Sequence, residues 1–334
     1  LRQKKGYLDA LAARAQAPGT YRGVQLLYHE KESYKRRLPR NADYGALGAD
    51  GGNTMQMLEA HGIATAYGDE AVKATDGQTL RAYTVDEIRS MLAGGMLLDA
   101  SAAKVVAERG LGHLIGLKSI AAPRCIDEVG GPYSAEEFHN GKFGGAKGKY
   151  LTLTVPGLTG RPSMSDVKLA KGAKVVSHLA DPDAKRGHVS AYAFENELGG
   201  RVFVHLLDLG SAYGVAFNHT FRAHMLQGAV RWLARQRPAL MTQGGGVYPL
   251  ALRKDLDDGR TLLGMFNLTL DPWEGIEFEL ASRRQPGTVE VLTAAGKWER
   301  ARKATALKKG GRVLVTRGET VPFDQPLFLT VSWK

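Results

Sequence analysis

Residues 93–117, AGGMLLDASAAKVVAERGLGHLIGL, decide the fold. Gly94-Gly95 stops one helix, and Met96-Leu97-Leu98 is a fully apolar run of strand length. Ser101 opens an amphipathic helix carrying Ala103, Val105, Val106 and Ala107, which Gly110 closes. Residues 113–117 read as a further strand. Short apolar strands alternating with amphipathic helices are the pattern of a parallel sheet covered on both faces. Upstream the same rhythm holds. Thr84 with Asp86-Glu87 starts a helix bearing Ile88, Met91 and Leu92, and residues 63–67 read as a strand. Asn53-Thr54 caps a helix through Met55, Met57, Leu58 and Ala60 that closes at His61-Gly62. Val24, Leu26, Leu27 and Tyr28 make a short strand ending at His29-Glu30.

Outward from this α/β stretch the texture changes. Residues 121–187 are rich in Gly, Pro and Lys, with weak strands at 150–155, 174–179 and 187–192, a β-rich insert. A stronger buried strand follows at 201–207. A helix spans 219–236, with Met225, Leu226, Val230 and Leu233 on one face and Pro238 halting it. From 247 to 334 the pattern is all-β: Asp258-Gly259 joins two alternating runs, a hairpin signal, and GIEFEL, TVEVLT, RVLVTR and LFLTVSW are strands of alternating polarity. The expected organisation is a linker helix over 1–20, an α/β domain over 21–240 and a small antiparallel β-sandwich over 247–334. No repeat of fixed period is present.

The 334 residues are 43% hydrophobic and 24% charged, which excludes collagenous and disordered classes. Net charge is +11, with basic clusters in residues 1–40 and 297–317. Neither cluster joins stacking aromatics or a nucleic-acid-binding motif, so solvated faces and no nucleic-acid partner are expected. No apolar run reaches the ~20 residues that cross a bilayer, so no membrane partner is expected. The single cysteine, Cys125, excludes an internal disulfide framework. Leu1 opens a charged segment without an initiator methionine or a signal-peptide core, which suggests a processed or excised piece. The compartment is not indicated.

An α/β unit with an inserted β segment, one helix and then a small sandwich resembles the non-catalytic C-terminal half of the GH42-type β-galactosidases. The carrying stretches are residues 93–117, GGRVFVHLLDL at 199–209, and the end pattern YPLALRKDLDDGRTLLGMFNLT, FELASRRQPGTVEVLT and VPFDQPLFLTVSW. The resemblance implies a glutamine-amidotransferase-like parallel-sheet domain of the trimerisation type, then a β-sandwich. In the family, two catalytic glutamates sit on a (β/α)₈ barrel of about 250 residues. Only one helix precedes the α/β unit here, so the barrel lies outside these residues and no catalytic glutamate carries over. The implied partners are a catalytic barrel on the same precursor or another chain, further copies in a homo-oligomer, and a carbohydrate substrate.

Candidate chemistry is sparse. An amidotransferase site needs a cysteine on a tight strand-to-helix elbow, and the matching residues Leu98-Asp99-Ala100-Ser101 have none. Ser101 reads as a helix cap. His29 and Glu30 end the first strand, where open sheets gather ligands; with Tyr34 and Arg36-Arg37 they could bind a sugar or a facing subunit, or form a solvated loop. Trp273, in Asp271-Pro272-Trp273-Glu274-Gly275, falls in an expected exposed turn where an indole could stack on a pyranose; the favoured alternative is a sandwich edge residue packed on the preceding domain. His139, His178, His188, His205, His219 and His224 show no metal-ligand spacing, so neither a metal nor a cofactor is expected. The rival readings are a carbohydrate-binding protein and a free-standing enzyme on an amidotransferase-like fold.

Overall fold

The computed structural model describes residues 4–35, 37, 52–129, 135–139, 141–143, 148, 150–152, 162–183, 185–209, 220–243, 249–302, 304–309, 312–317, 321 and 325–334. It is mostly β-sheet with few helices. Two compact units result: one joins residues 1–24, 58–70 and 234–334, the other residues 25–57 and 71–233. These boundaries cut across those expected from sequence.

In the second unit four strands run parallel in the order Val24–Leu26, Val72–Thr75, Gly95–Leu98, Arg201–His205. The sheet then turns antiparallel through Arg186–Glu195, Lys174–Ala180, Ala135–Phe138 and Tyr150–Thr152. The expected β-rich insert therefore extends the main sheet. Helices Val85–Leu92 and Ala100–Glu108 pack Ile88, Leu92, Ala102, Val105 and Val106 on Met96, Leu98, Val202 and Val204. The first helix is fixed by a capping box: the Thr84 hydroxyl accepts from the Glu87 N–H, and Glu87 reaches back to the Thr84 N–H at 2.7 Å.

The expected strand over 113–117 is corrected. Residues Gly112–Ile115 form a 3₁₀ turn that ends at Gly116, whose φ of 74° is left-handed. A Cβ there would lie 2.7 Å from the Phe194 ring, so only glycine fits. The chain resumes as Leu117–Ile120, which pairs with Val167–Leu169 outside the main sheet. The strand expected over 63–67 is the shorter Thr65–Ala66.

The face of the sheet beneath helix Thr220–Leu233 carries a charged group sealed from water. Arg222 is fully buried and donates to Glu136 at 2.6 Å, while its other terminal nitrogen lies 2.5 Å from His205 Nε2. Ser177 also donates to Glu136, at 2.6 Å. Burial alone would push the Glu136 carboxyl up, but the Arg222 charge and the bonds from Ser177 and Arg222 hold it below its ordinary range. Burial, and then the Arg222 charge, push the His205 imidazole down to about 3.

The first unit is built on antiparallel sheets. One has the order Gly19–Tyr21, Pro249–Leu256, Thr261–Asn267, Leu327–Trp333, Pro286–Leu292, Trp298–Arg300, and the other Met241–Gln243, Ile276–Ala281, Arg312–Arg317, Ala304–Lys309. Leu263, Met265, Leu329 and Val331 from the first sheet and Phe278, Leu280, Val313 and Val315 from the second share one apolar core. Asp258-Gly259 turns the hairpin between Pro249–Leu256 and Thr261–Asn267, with Gly259 at φ 86°. The opening helix, Lys5–Ala15, is packed into this unit rather than standing as a linker. Tyr7 is buried and donates to the Pro326 carbonyl at 2.8 Å. Arg14 pairs with Glu290 at 2.8 Å and lies 3.8 Å over the Trp298 ring.

Two outcomes test the buried charged group. Arg222→Met strands the Glu136 carboxylate without its cation and should cost about 3–5 kcal/mol in a urea titration; adding Glu136→Gln should recover most of that loss. As pH falls below the ordinary imidazole value of 6.5, the unfolded chain protonates His205 while the folded chain resists until about 3. Stability should therefore fall across this window, and His205→Gln should shallow that slope in acid-unfolding curves.

Candidate functional site

The carboxyl ends of the parallel strands gather the polar groups. Asp76 follows Val72–Thr75, Asp99 follows Gly95–Leu98, and Asp208 lies just beyond Arg201–His205. Asp99 is fully buried. One of its oxygens accepts from the Ala102 N–H at 2.8 Å, capping helix Ala100–Glu108, and from the Gly77 N–H at 3.1 Å. The other accepts from the Leu209 N–H at 3.2 Å. Asp76 accepts from the Thr54 N–H at 3.0 Å, and Ser101 donates to Asp208 at 2.7 Å. Burial, then the charges of Asp208 and Asp76, push the Asp99 carboxyl well up; its bonds from Ala102 and Leu209 oppose that rise.

This elbow is built for structure. Asp99 has an extended backbone, φ −89° and ψ −177°, free of the strain that lifts a nucleophile from a tight turn. Asp99 is the helix cap, so the expected capping role of Ser101 is corrected; the Ser101 hydroxyl serves Asp208. Cys125 is half-buried in the two-residue strand Arg124–Cys125 and stands opposite Ser163, whose carbonyl accepts from the Asp208 N–H; it is not on the elbow itself.

Among the sequence candidates, His29 is placed at this carboxyl edge. Its Nδ1 accepts from the Lys31 N–H at 3.0 Å, and its ring meets Tyr83 edge-on at 4.9 Å between centroids. The Tyr83 hydroxyl donates to the Tyr28 carbonyl at 2.7 Å, bracing the segment. Burial, with Glu32 and Glu87 nearby, pushes the Tyr83 phenol up. Glu30 is exposed. Arg36 lies outside the described residues, but its neighbour Arg37 is tied through both backbone groups to the Gln78 amide, at 3.0 and 3.1 Å. Gln78 follows Gly77, so the loops after the first two strands are bolted together.

Trp273 is not an exposed platform. It is 4% exposed within the core of the first unit, and its backbone forms an antiparallel bridge with Val321. The aromatic that sequence reading passed over is Tyr28, 63% exposed beside His29. The acids Asp76, Asp99 and Asp208 were passed over too, although each ends or closely follows a run of β-forming residues: VKATD, MLLD and VFVHLLD.

No family model matches this sequence, and neither does any curated protein. Its structure is similar to that of α-L-fucosidase isoenzyme 2 from Paenibacillus thiaminolyticus, with a TM-score of 0.64 at 11% identity over 98% of this chain and 51% of that one. PurLQS from Thermotoga maritima gives a TM-score of 0.36 at 13% identity, over 55% of this chain and 92% of that one. A rhamnosidase from Novosphingobium sp. PP1Y gives 0.32 at 12%, over 78% and 16%. The last two likenesses are too slight to bear on the fold. This chain spans about half the length of the fucosidase, and its fold is one that a glycoside hydrolase contains.

Proposed function

We propose that this chain is the accessory part of a glycoside hydrolase, in which an amidotransferase-like α/β unit and a β-sandwich wall the sugar site of a catalytic barrel outside these residues. The carrying observation is the similarity of 98% of the chain to about half of an α-L-fucosidase. The relaxed elbow at Asp99 supports the same reading, since it offers no activated nucleophile. The barrel belongs to the same precursor or to another chain, and subunit assembly places it against this wall. An α-L-fucoside or a β-galactoside is the substrate class. The carboxyl edge of the parallel strands faces the sugar, with the exposed Tyr28 ring as its stacking surface and Glu30 as a hydroxyl acceptor. The enclosing wall excludes water and helps position the substrate. A carbohydrate-binding protein that works without a barrel is the second reading, favoured by the exposure of Tyr28.

The chain alone should give no turnover of aryl α-L-fucosides or aryl β-galactosides; turnover would end the division of labour. In the complete enzyme, Tyr28→Ala should lower kcat/KM for the glycoside by about 3- to 10-fold with the melting temperature unchanged. An unchanged kcat/KM would remove Tyr28 from the wall.

A further inference from the structure

The sequence spacing of the histidines points to no metal, yet folding brings two of them together across neighbouring antiparallel strands. His139 follows Ala135–Phe138 and His178 lies within Lys174–Ala180. In this pairing His178 faces Glu137 in register, and the His139 N–H donates to the Val176 carbonyl. Glu137, His139 and His178 therefore share the face of the sheet opposite Glu136 and Ser177. His139 Nε2 and His178 Nδ1 stand 2.8 Å apart, with ring centroids at 4.8 Å and an interplanar angle of 66°. The other nitrogen of His139, Nδ1, lies 3.6 Å from Glu137 Oε1. Arg186 holds that carboxylate through two bonds, at 2.7 and 3.0 Å. The His139 side chain retains 18% of its exposure, so the pair is reachable from solvent.

From this juxtaposition we infer that His139 Nε2 and His178 Nδ1 form a two-histidine binding site for a divalent transition metal of the zinc or nickel class. Neutral imidazole is the ligand such ions favour among nitrogen donors. The second nitrogen of His139 has a carboxylate beside it, Glu137 at 3.6 Å, an electrostatic neighbour rather than a hydrogen-bond partner. With the His139 proton on Nδ1, Nε2 presents its lone pair to the ion. His178 presents Nδ1 once its proton sits on Nε2. The exchange is a tautomer shift in neutral rings and releases no proton. Zn–N bonds of about 2.0–2.1 Å at a tetrahedral angle place two ligand nitrogens about 3.3 Å apart, so the nitrogens must part by a few tenths of an ångström and the rings must turn by about 35° for both lone pairs to meet at the ion. Among the described residues no set of three His, Cys, Asp or Glu side chains converges on one ion. Water completes the coordination shell, and the ion clips two adjacent strands.

The test uses the untagged chain, titrated with zinc chloride or nickel chloride in a non-coordinating buffer and followed calorimetrically. One ion per chain should bind at this pair, and His139→Gln or His178→Gln should each weaken that step at least tenfold. Glu137→Gln should weaken it less than either histidine variant, through loss of the negative charge beside His139. His113→Ala, which removes a solvent-facing ring, should leave it unchanged. Zinc should also shift the imidazole nitrogen resonances of His139 and His178 in the unaltered chain, a readout that needs no variant to fold. Equal binding in the His139 and His178 variants, or nitrogen shifts confined to other histidines, would overturn the site.

Discussion

The carboxyl edge of the α/β unit depends on one buried carboxylate. Asp99 accepts from Gly77, Ala102 and Leu209, so a single side chain fixes the exits of three adjacent parallel strands and the start of a helix. The arrangement is costly for a charge: burial and the nearby Asp76 and Asp208 all push its proton affinity up. Backbone donors offset part of that cost. Where an amidotransferase elbow carries a strained nucleophile, this one carries a relaxed cap. The edge is therefore organised to hold a surface in shape, and Tyr28, His29 and Glu30 stand on that surface.

The opposite solution appears on the sheet face beneath helix Thr220–Leu233. There Glu136 and Arg222 are fully buried together, and neutral His205 packs against the same guanidinium. Buried ion pairs contribute little net stability, but losing one partner is expensive. Such a group selects one seating of the helix, because any shift along the sheet would separate Arg222 from both Glu136 and His205. The antiparallel extension of the sheet supplies Glu136 and Ser177, so this half of the sheet is tied to the parallel half through side chains as well as through the ladder.

Local signals in the sequence read well. The helix start at Thr84, the Asp258-Gly259 hairpin, the apolar strand before Asp99 and the helix from Thr220 are each set within a few residues, and each is found where its pattern puts it. The failures are non-local. Residues 113–117 are apolar enough for a strand, and periodicity cannot tell that run from a buried 3₁₀ turn; Phe194, far along the chain, decides it by crowding Gly116. Trp273 sits among turn residues, and the sequence favours a packed edge residue there without naming its partner; that partner is Val321, within its own unit. The opening helix looks detachable until Tyr7 and Arg14 find Pro326, Glu290 and Trp298 near the other end of the chain. The pairing of His139 with His178 was equally hidden, since strand register creates it.

Hydrogen exchange on an Asp99→Ser chain bears most directly on the role given to that carboxylate. Serine can still cap Ala102, but it is too short to reach Gly77 and Leu209 as well. The expected result is faster exchange at the Gly77 and Leu209 amides, with protection retained through Ala102 and the strand Arg186–Glu195. Unchanged protection at both Gly77 and Leu209 would reduce Asp99 to an ordinary helix cap and leave the carboxyl edge without its organising group.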